Sequence, residues 1–583
     1  MTAGPTRITL APSSLRRSFE SMSPAAKLRH ALVVATVIAG IALRFAMFLQ
    51  NPPLGLDEAR LALNIASRSF GELLQPLDHD QSAPPLYLWI QRVAVALFGV
   101  HDPTLRLVAL ASGVGLVLLT PSTLGRLLGA RATVVATFIV AFSPLMVHYS
   151  SSVKQYGVEA FLTLLVLRLA LRSRESSFSD APAARLTLLG TFIPWLATPG
   201  VFVLFGVAGC ALADFARGIA RARLFLLRSV PIWAVSFVLA YLAVYEPASR
   251  NPYLRHYWKS ALLSPGQDGF IQRLWALLNE NLWGLALGYA GPPGRHLPNL
   301  VFLVVAVALL LLFVAGGAWL LKCHGWSTLV LVAGPPAVAA CASIVGAFPV
   351  SLRLTLFAAP LVQLLLVAGL DRLILRLPED HARRAWVLAG SVLAIPLLAI
   401  SLLQARGGSP SEDVRTLVEE LSRRRRGEPV YISAGSVPPW AYYSTDWNAP
   451  DFRRLDFLAR IAGAGGAAFE NAPSRKLVGQ GEGDGLEYRT ASGLELYGLA
   501  TGIEWTPSLG PLKRSPDAGW IEGEARRIES LDARAAWVLM SRTVGTEGEL
   551  RQELERRGAD ATYAKELDNA TLVRYLLRSR NSD

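Results

Sequence analysis

Long apolar runs recur along this chain of 583 residues, and they constrain its fold more than any other feature. A helix rises about 1.5 Å per residue, so about 20 apolar residues cross the hydrocarbon core of a bilayer. Runs at 31–50, 224–245, 298–321, 327–347, 353–375 and 386–404 meet that length. Less clean runs lie at 84–99, 105–123, 132–148 and 157–171. A further run at 186–213 is broken by Thr198-Pro199-Gly200, a turn signal that suggests a helical hairpin. The expected fold is a polytopic α-helical membrane protein with about eleven crossings.

Charge bears on orientation and on partners. Only 17% of residues are charged, against about 25% in soluble domains. The net charge of +13 comes from Arg residues in short links between apolar runs. That reads as topology signal and lipid contact, with no nucleic-acid partner. Links 214–228 and 372–384 carry four Arg each and are expected in the cytoplasm. The basic N-terminus, 1–30, then lies inside, ahead of an uncleaved first membrane helix. Loops 51–83 and 246–297, the link 348–353, and 405–583 fall outside. One candidate between 84 and 185 must be re-entrant or fused to its neighbour for Arg172, Arg174 and Arg185 to stay inside. The expected domains are the N-terminus 1–30, a membrane domain 31–404, and an extracytoplasmic domain 405–583.

That last region is hydrophilic and lacks cysteine; the chain's Cys210, Cys323 and Cys341 lie in or beside apolar runs. "EDVRTLVEELSRRRRGE" has helical periodicity, and "PVYIS", "AAWVLMS" and "ATLVRYLL" read as strands around the helix "EGELRQELERRG". A small, three-layered α/β domain is the expectation. Its "GAGGAAF" lacks the strand–turn–helix setting of a nucleotide fingerprint, and the chain has no P-loop, so no nucleotide cofactor is expected.

Candidate chemistry collects at the external boundary. "GLDEARLALN" places Asp57 and Glu58 where the first membrane helix has just ended, at the start of an expected amphipathic surface helix. Carboxylates at a helix N-terminus also serve as caps, which is the bland reading of the pair. Asp78, His79 and Asp80 close the loop before "APPLYLW" re-enters the membrane. "SPLMVHYSSSVKQYGVEAF" brings His148, Tyr149, Lys154, Tyr156 and Glu159 to one boundary. Glu159 begins an apolar run, where a carboxylate is costly unless capped, paired or wet. Arg44 sits inside the first apolar run and needs a partner or a route to the surface. In "FPVSLRLTLF", Arg353 stands at an external helix start, the wrong sign for the helix dipole and the right one for a bound anion.

These motifs, in this order, resemble the GT-C superfamily of membrane glycosyltransferases. The relatives in view are bacterial members related to glycosyltransferase family 39, which includes protein O-mannosyltransferases and aminoarabinose transferases of lipid A. The resemblance spans 31–404 in organisation. It is sharpest at "LDEARLALNI", "LDHDQSAPPLYLW…FGVHDPTLRL" and "SPLMVHYSSSVKQYGVEAF", with "FPVSLRLTLFAAPLVQLLLVAGL" as a late helix. It implies an inverting transfer of a sugar from a polyprenyl-phosphate donor to a lipid, glycan or protein acceptor at the non-cytoplasmic face of the cell membrane. Asp57 matches the family's catalytic carboxylate. Glu159 stands where the second acidic residue is commonly Asp, and Gly157 replaces a frequent Ser. Some members use a divalent ion and others do not. A metal here would take Asp57 or Glu58 with Glu159 and water, an oxygen-rich set. Asp57 is the expected base, with Glu58 and Glu159 as further catalytic candidates. Arg353, Lys154, Tyr156, Arg44, Asp80 and His79 are the expected substrate contacts.

Two other classes compete. A transporter or lipid flippase for envelope glycolipids should show internal repeats and polar residues near mid-membrane; here the polar residues cluster at one boundary. A binding or scaffolding protein centred on 405–583 needs far fewer crossings as an anchor.

Overall fold

The computed structural model describes residues 23–263, 270–288, 299–408, 412–428, 430–432, 436–445, 447, 505–507, 518–529, 534–541, 546–567 and 569–577. The first long helix, α1 (Pro24–Gln50), starts on an N-cap, Ser23, with proline at its first position. It stops at Asn51, whose φ of 45° is left-handed, a conformation Asn tolerates. The helix thus ends just ahead of Pro52-Pro53.

The next helix, α2 (Leu56–Ser67), differs from the surface helix its sequence suggests. All residues from Ala59 to Ser67 are buried, and only Asp57 and Glu58 are open to any degree. Its Asn64 and Ser67 side chains donate to the carbonyls of Arg60 and Leu63 one turn earlier. Asn64 bonds the backbone of Asp78 in both directions, and Arg92 caps the C-terminal carbonyls of Ile65 and Ala66 at 3.2 and 2.8 Å.

Then follow α3 (Pro85–Phe98), α4 (Asp102–Leu124), α5 (Ala130–Phe142), α6 (Tyr156–Glu175), α7 (Asp180–Leu196), α8 (Gly200–Ala216) and α9 (Ala220–Ala240). After loop helices come α10 (Phe270–Leu287), α11 (Asn299–Ile344), α12 (Ala359–Ile374) and α13 (Glu379–Leu403). Gly325, at φ 77°, breaks α11 into the two crossings that the sequence separates. The 186–213 run folds as α7 and α8 around Ala197–Pro199, a hairpin as its Pro-Gly signal indicates. Six described helices are long and apolar enough to cross a membrane, and α3, α5 and α8 are shorter apolar helices. The chain is a multi-pass membrane protein.

Contacts sort the links into two faces. On one, Arg106 at the start of α4 bonds Asn51 at the end of α1, Val153 bonds Glu58, and Arg353 bonds Asp57. On the other, Arg126 pairs with Glu175, Arg174 with Asp214 and Thr328, and Arg217 meets Ser327. Both ends of α3 therefore lie on the first face: it follows loop 51–83, and the start of α4 comes straight after it. Gln91 in its middle already bonds Leu105 O at 2.9 Å. The helix starts and ends on that face, while Arg126, Arg174 and Arg217 lie on the second.

Beyond α13 a small α/β unit forms. Its sheet runs β2 (Trp505–Pro507), β1 (Val430–Ile432), β3 (Ala535–Ser541), β5 (Ala570–Leu576), β4 (Asp560–Leu567). β1 is parallel to β2 and β3, whereas β5 is antiparallel to β3 and β4. Side chains alternate across β3. Trp537 and Leu539 join the core formed with α14 (Val414–Arg424), while Ala536, Val538 and Met540 pack with α16 (Ala518–Glu529) and α17 (Thr546–Arg556). The helix α15 (Val437–Ser444) packs against α2. The "GAGGAAF" stretch lies outside the described residues.

Candidate active site

A polar cluster forms at the first face around the start of α2. Asp57 and Glu58 occupy adjacent positions in the first helical turn and therefore point about 100° apart. Glu58 is fully engaged by backbone. Its Oε1 accepts from Val153 N at 2.7 Å and its Oε2 from Gly55 N at 3.3 Å, so it both caps its own helix and ties it to the 149–155 loop. Asp57 instead accepts from Arg353 Nη1 at 2.7 Å, with 31% of its side chain exposed. Arg353 Nη2 donates to Tyr257 Oη at 3.0 Å, and the guanidinium carbon lies 4.8 Å from the Trp258 ring centroid. The Arg353 side chain remains 25% exposed, so an anion can reach it.

Lys154 completes the cationic side. Its Nζ donates to Gln81 Oε1 at 2.8 Å. Burial pushes its ammonium down to about 8, with Arg353 and Arg60 adding to the fall and Asp57 and Glu58 resisting it. Tyr156 packs edge-on against Tyr149, ring centroids 5.2 Å apart, within electrostatic reach of Arg353 and Asp57. Asp57, Arg353 and the neighbouring Lys154 and Tyr156 thus come together from three separate stretches of the sequence.

Other expected site residues serve different partners. Asp80 accepts from Asn251 Nδ2 at 2.8 Å, which joins the two external loops. His79 and Asp80 hold consecutive left-handed conformations, φ 58° and 55°. Burial, helped by Arg60 and Arg68, pushes the His79 imidazole down to about 3, so it is neutral at ordinary pH. Arg44 is fully buried and donates to the carbonyls of Gly40, Ala141 and Val140, closing the C-terminus of α5. Glu159 is 2% exposed, one turn into α6, and takes the Thr198 backbone N–H at the α7–α8 link. Its Oε2 meets no partner among the described residues. The three carboxylates named for a metal therefore have different neighbours, and no group of three or more His, Cys, Asp or Glu forms a metal cage among the described residues.

Residues the motifs did not single out complete the frame. Gln81 holds Lys154, and Asp102, Arg106, Glu412, Arg415 and Tyr443 hold the segment that leads into Asp57. Asp102 and Arg106 lie inside a quoted motif, where their i, i+4 spacing in a helix was the available signal. For Glu412 and Tyr443 no local signal exists, because their partners lie hundreds of residues away. A separate apolar cavity of ≈ 690 Å³, lined by Trp89, Phe192, Trp195, Ile232 and Leu239 among others, shares no lining residue with this cluster.

The fold and cluster define a polytopic membrane protein with a half-open, mixed-charge site at one membrane face. Residues 82–178 match the family of dolichyl-phosphate-mannose-protein mannosyltransferases. That segment carries Lys154, Tyr156 and Glu159, while Asp57 and Arg353 lie outside it. The resemblance to the GT-C membrane glycosyltransferases drawn from the motifs is borne out there. No curated protein sequence matches the chain. Among solved structures, ArnT from Cupriavidus metallidurans bound to undecaprenyl phosphate is 15% identical with a TM-score of 0.44, covering 93% of this chain and 97% of that one. The Archaeoglobus fulgidus oligosaccharyltransferase with Zn and sulfate is 13% identical, TM-score 0.45, covering 93% and 72%. The AglB oligosaccharyltransferase of the same organism, with an inhibitory peptide and a dolichol-phosphate, is 13% identical, TM-score 0.44, covering 95% and 75%.

Proposed function

We propose that this chain is an inverting glycosyltransferase that takes a sugar from a polyprenyl-phosphate donor. The observation that carries this reading is the Asp57–Arg353 pair with Lys154 beside it, at one face of a polytopic membrane domain. A donor anchored by a long apolar chain can offer its phosphate only at that depth. The family match over 82–178 supports the same class of reaction.

The chemistry follows from the groups present. The donor phosphate binds Arg353 and Lys154, and the guanidinium turns from Asp57 toward the incoming anion. The Asp57 carboxylate, left without its cation, takes the proton of the acceptor hydroxyl. The acceptor oxygen bonds the anomeric carbon as the bond from that carbon to the phosphate oxygen breaks. The electron pair leaves on the polyprenyl phosphate, whose growing charge Arg353 and Lys154 stabilise. Displacement from the opposite face inverts the carbon. Tyr257 and Trp258, on the Arg353 side, offer aromatic surface for a sugar ring. Asp80 and His79 shape the loop that holds Gln81. The acceptor is a lipid, glycan or protein.

The protein is assigned to the cell membrane, with its Arg-rich links and basic N-terminus in the cytoplasm and the α/β unit outside. The domain division proposed is 1–30, 31–404 and 405–583. Turnover of labelled polyprenyl-phosphate sugars by purified protein in lipid tests the function. Transfer or hydrolysis that depends on Asp57 supports it, and none with any donor refutes it.

A further inference from the structure

The helix that carries Asp57 starts on a residue with no side chain to cap it. Gly55 occupies the N-cap, and Leu56 is the first helical residue. The Leu56 N–H is met instead by Glu412 Oε2 at 2.9 Å, from 356 residues further along the chain. Two more residues of the same region grip the preceding segment. Tyr443 Oη accepts from Leu54 N at 2.6 Å and donates to Asp102 Oδ2 at 2.8 Å. Arg415 donates to Asn51 O at 3.0 Å and to Asp102 Oδ2 at 3.2 Å. Leu54 is fully buried in this clamp. Residues 51–56 are thus fixed from the C-terminal unit on one side and from α4 on the other.

We infer that Glu412 is a positioning residue: the C-terminal unit sets the placement of the Asp57 carboxylate through the first amide of its helix. This rests on the reading of Asp57 as the base. The contact falls one residue before Asp57, at the end of the helix where the free amides and the dipole both favour an anion. Rotation or sliding of that first turn moves the Asp57 carboxylate directly, because nothing but one peptide unit separates them. A base displaced by about 1 Å loses on the order of 10²-fold in rate. The α/β unit is therefore a structural part of the site.

The test uses the full chain in lipid, with wild type, Glu412→Ala, Glu412→Gln and Tyr443→Phe. Two readouts are taken: amide hydrogen exchange over residues 54–60, and kcat and KM with a labelled polyprenyl-phosphate sugar. Glu412→Ala is expected to speed exchange at the Leu56 amide and to lower kcat by tenfold to about 10²-fold, with KM for the donor near wild type. Glu412→Gln, whose carbonyl still accepts the Leu56 N–H, is expected to recover most of both. Tyr443→Phe keeps the ring and carries the test if Glu412→Ala does not fold, with a smaller loss of kcat expected. Faster exchange with unchanged kcat overturns the inference, since the clamp then serves only the fold. A rise in KM with kcat unchanged overturns it too. Wild type that turns over no donor removes the base and with it the positioning role, an outcome distinct because it precedes any variant.

Discussion

Arg353 Nη1 donates to Asp57 Oδ2 at 2.7 Å, joining positions 296 residues apart. With side chains 25% and 31% exposed, such a pair contributes no more than about 1 kcal/mol to stability. Its role is better sought in binding. Arg353→Lys keeps the charge but loses the planar fork that reaches both Asp57 and Tyr257. The expected result is a rise in donor KM of roughly tenfold, for loss of a charge-assisted hydrogen bond of about 1.5 kcal/mol, with little change in thermal stability. A large drop in melting temperature with KM unaltered would assign the pair to the fold instead.

Lys154 should give the donor step an alkaline limit. Its ammonium is held down to about 8, mainly by burial, so it is charged below that pH and neutral above it. Donor affinity is therefore expected to fall as pH rises through about 8. Lys154→Arg, charged throughout, should remove this limb. Binding of a polyprenyl phosphate measured across pH 6.5–9.5 (roughly either side of the lysine's titration) checks it. A pH-independent wild type would contradict the assignment.

Gly157 marks a close approach. A Cβ built there would stand 2.6 Å from the carbonyl oxygen of Tyr149, an atom of the backbone that leads into the Lys154 loop. Gly157→Ser is expected to cost about 1–3 kcal/mol and to weaken donor binding by shifting Lys154. Thermal unfolding and donor KM, measured together, report both effects. A serine variant with wild-type values would show that the backbone yields freely.

The crossings were legible because lipid demands long apolar runs, and even the α7–α8 hairpin showed in its Pro-Gly break. The carboxylates and cations stood out because charge at a membrane boundary is costly and therefore informative. What no local pattern carries is which of them meet. Asp57 and Glu58 look alike in the sequence, yet backbone amides occupy one and a guanidinium the other. Arg44 has the look of an anion ligand, but it is used on helix carbonyls. The edge strand β4 hid because its exposed residues alternate without an apolar run. The depth of α2 hid because the cover over it comes partly from the C-terminal unit.

The role of Asp57 as base is tested most directly by single-turnover transfer from a labelled polyprenyl-phosphate sugar, comparing wild type with Asp57→Asn in lipid. Turnover in wild type is expected, with a loss of about 10²–10⁴-fold in Asp57→Asn, the usual worth of a general base, and donor binding retained. Equal rates in the two proteins would contradict it.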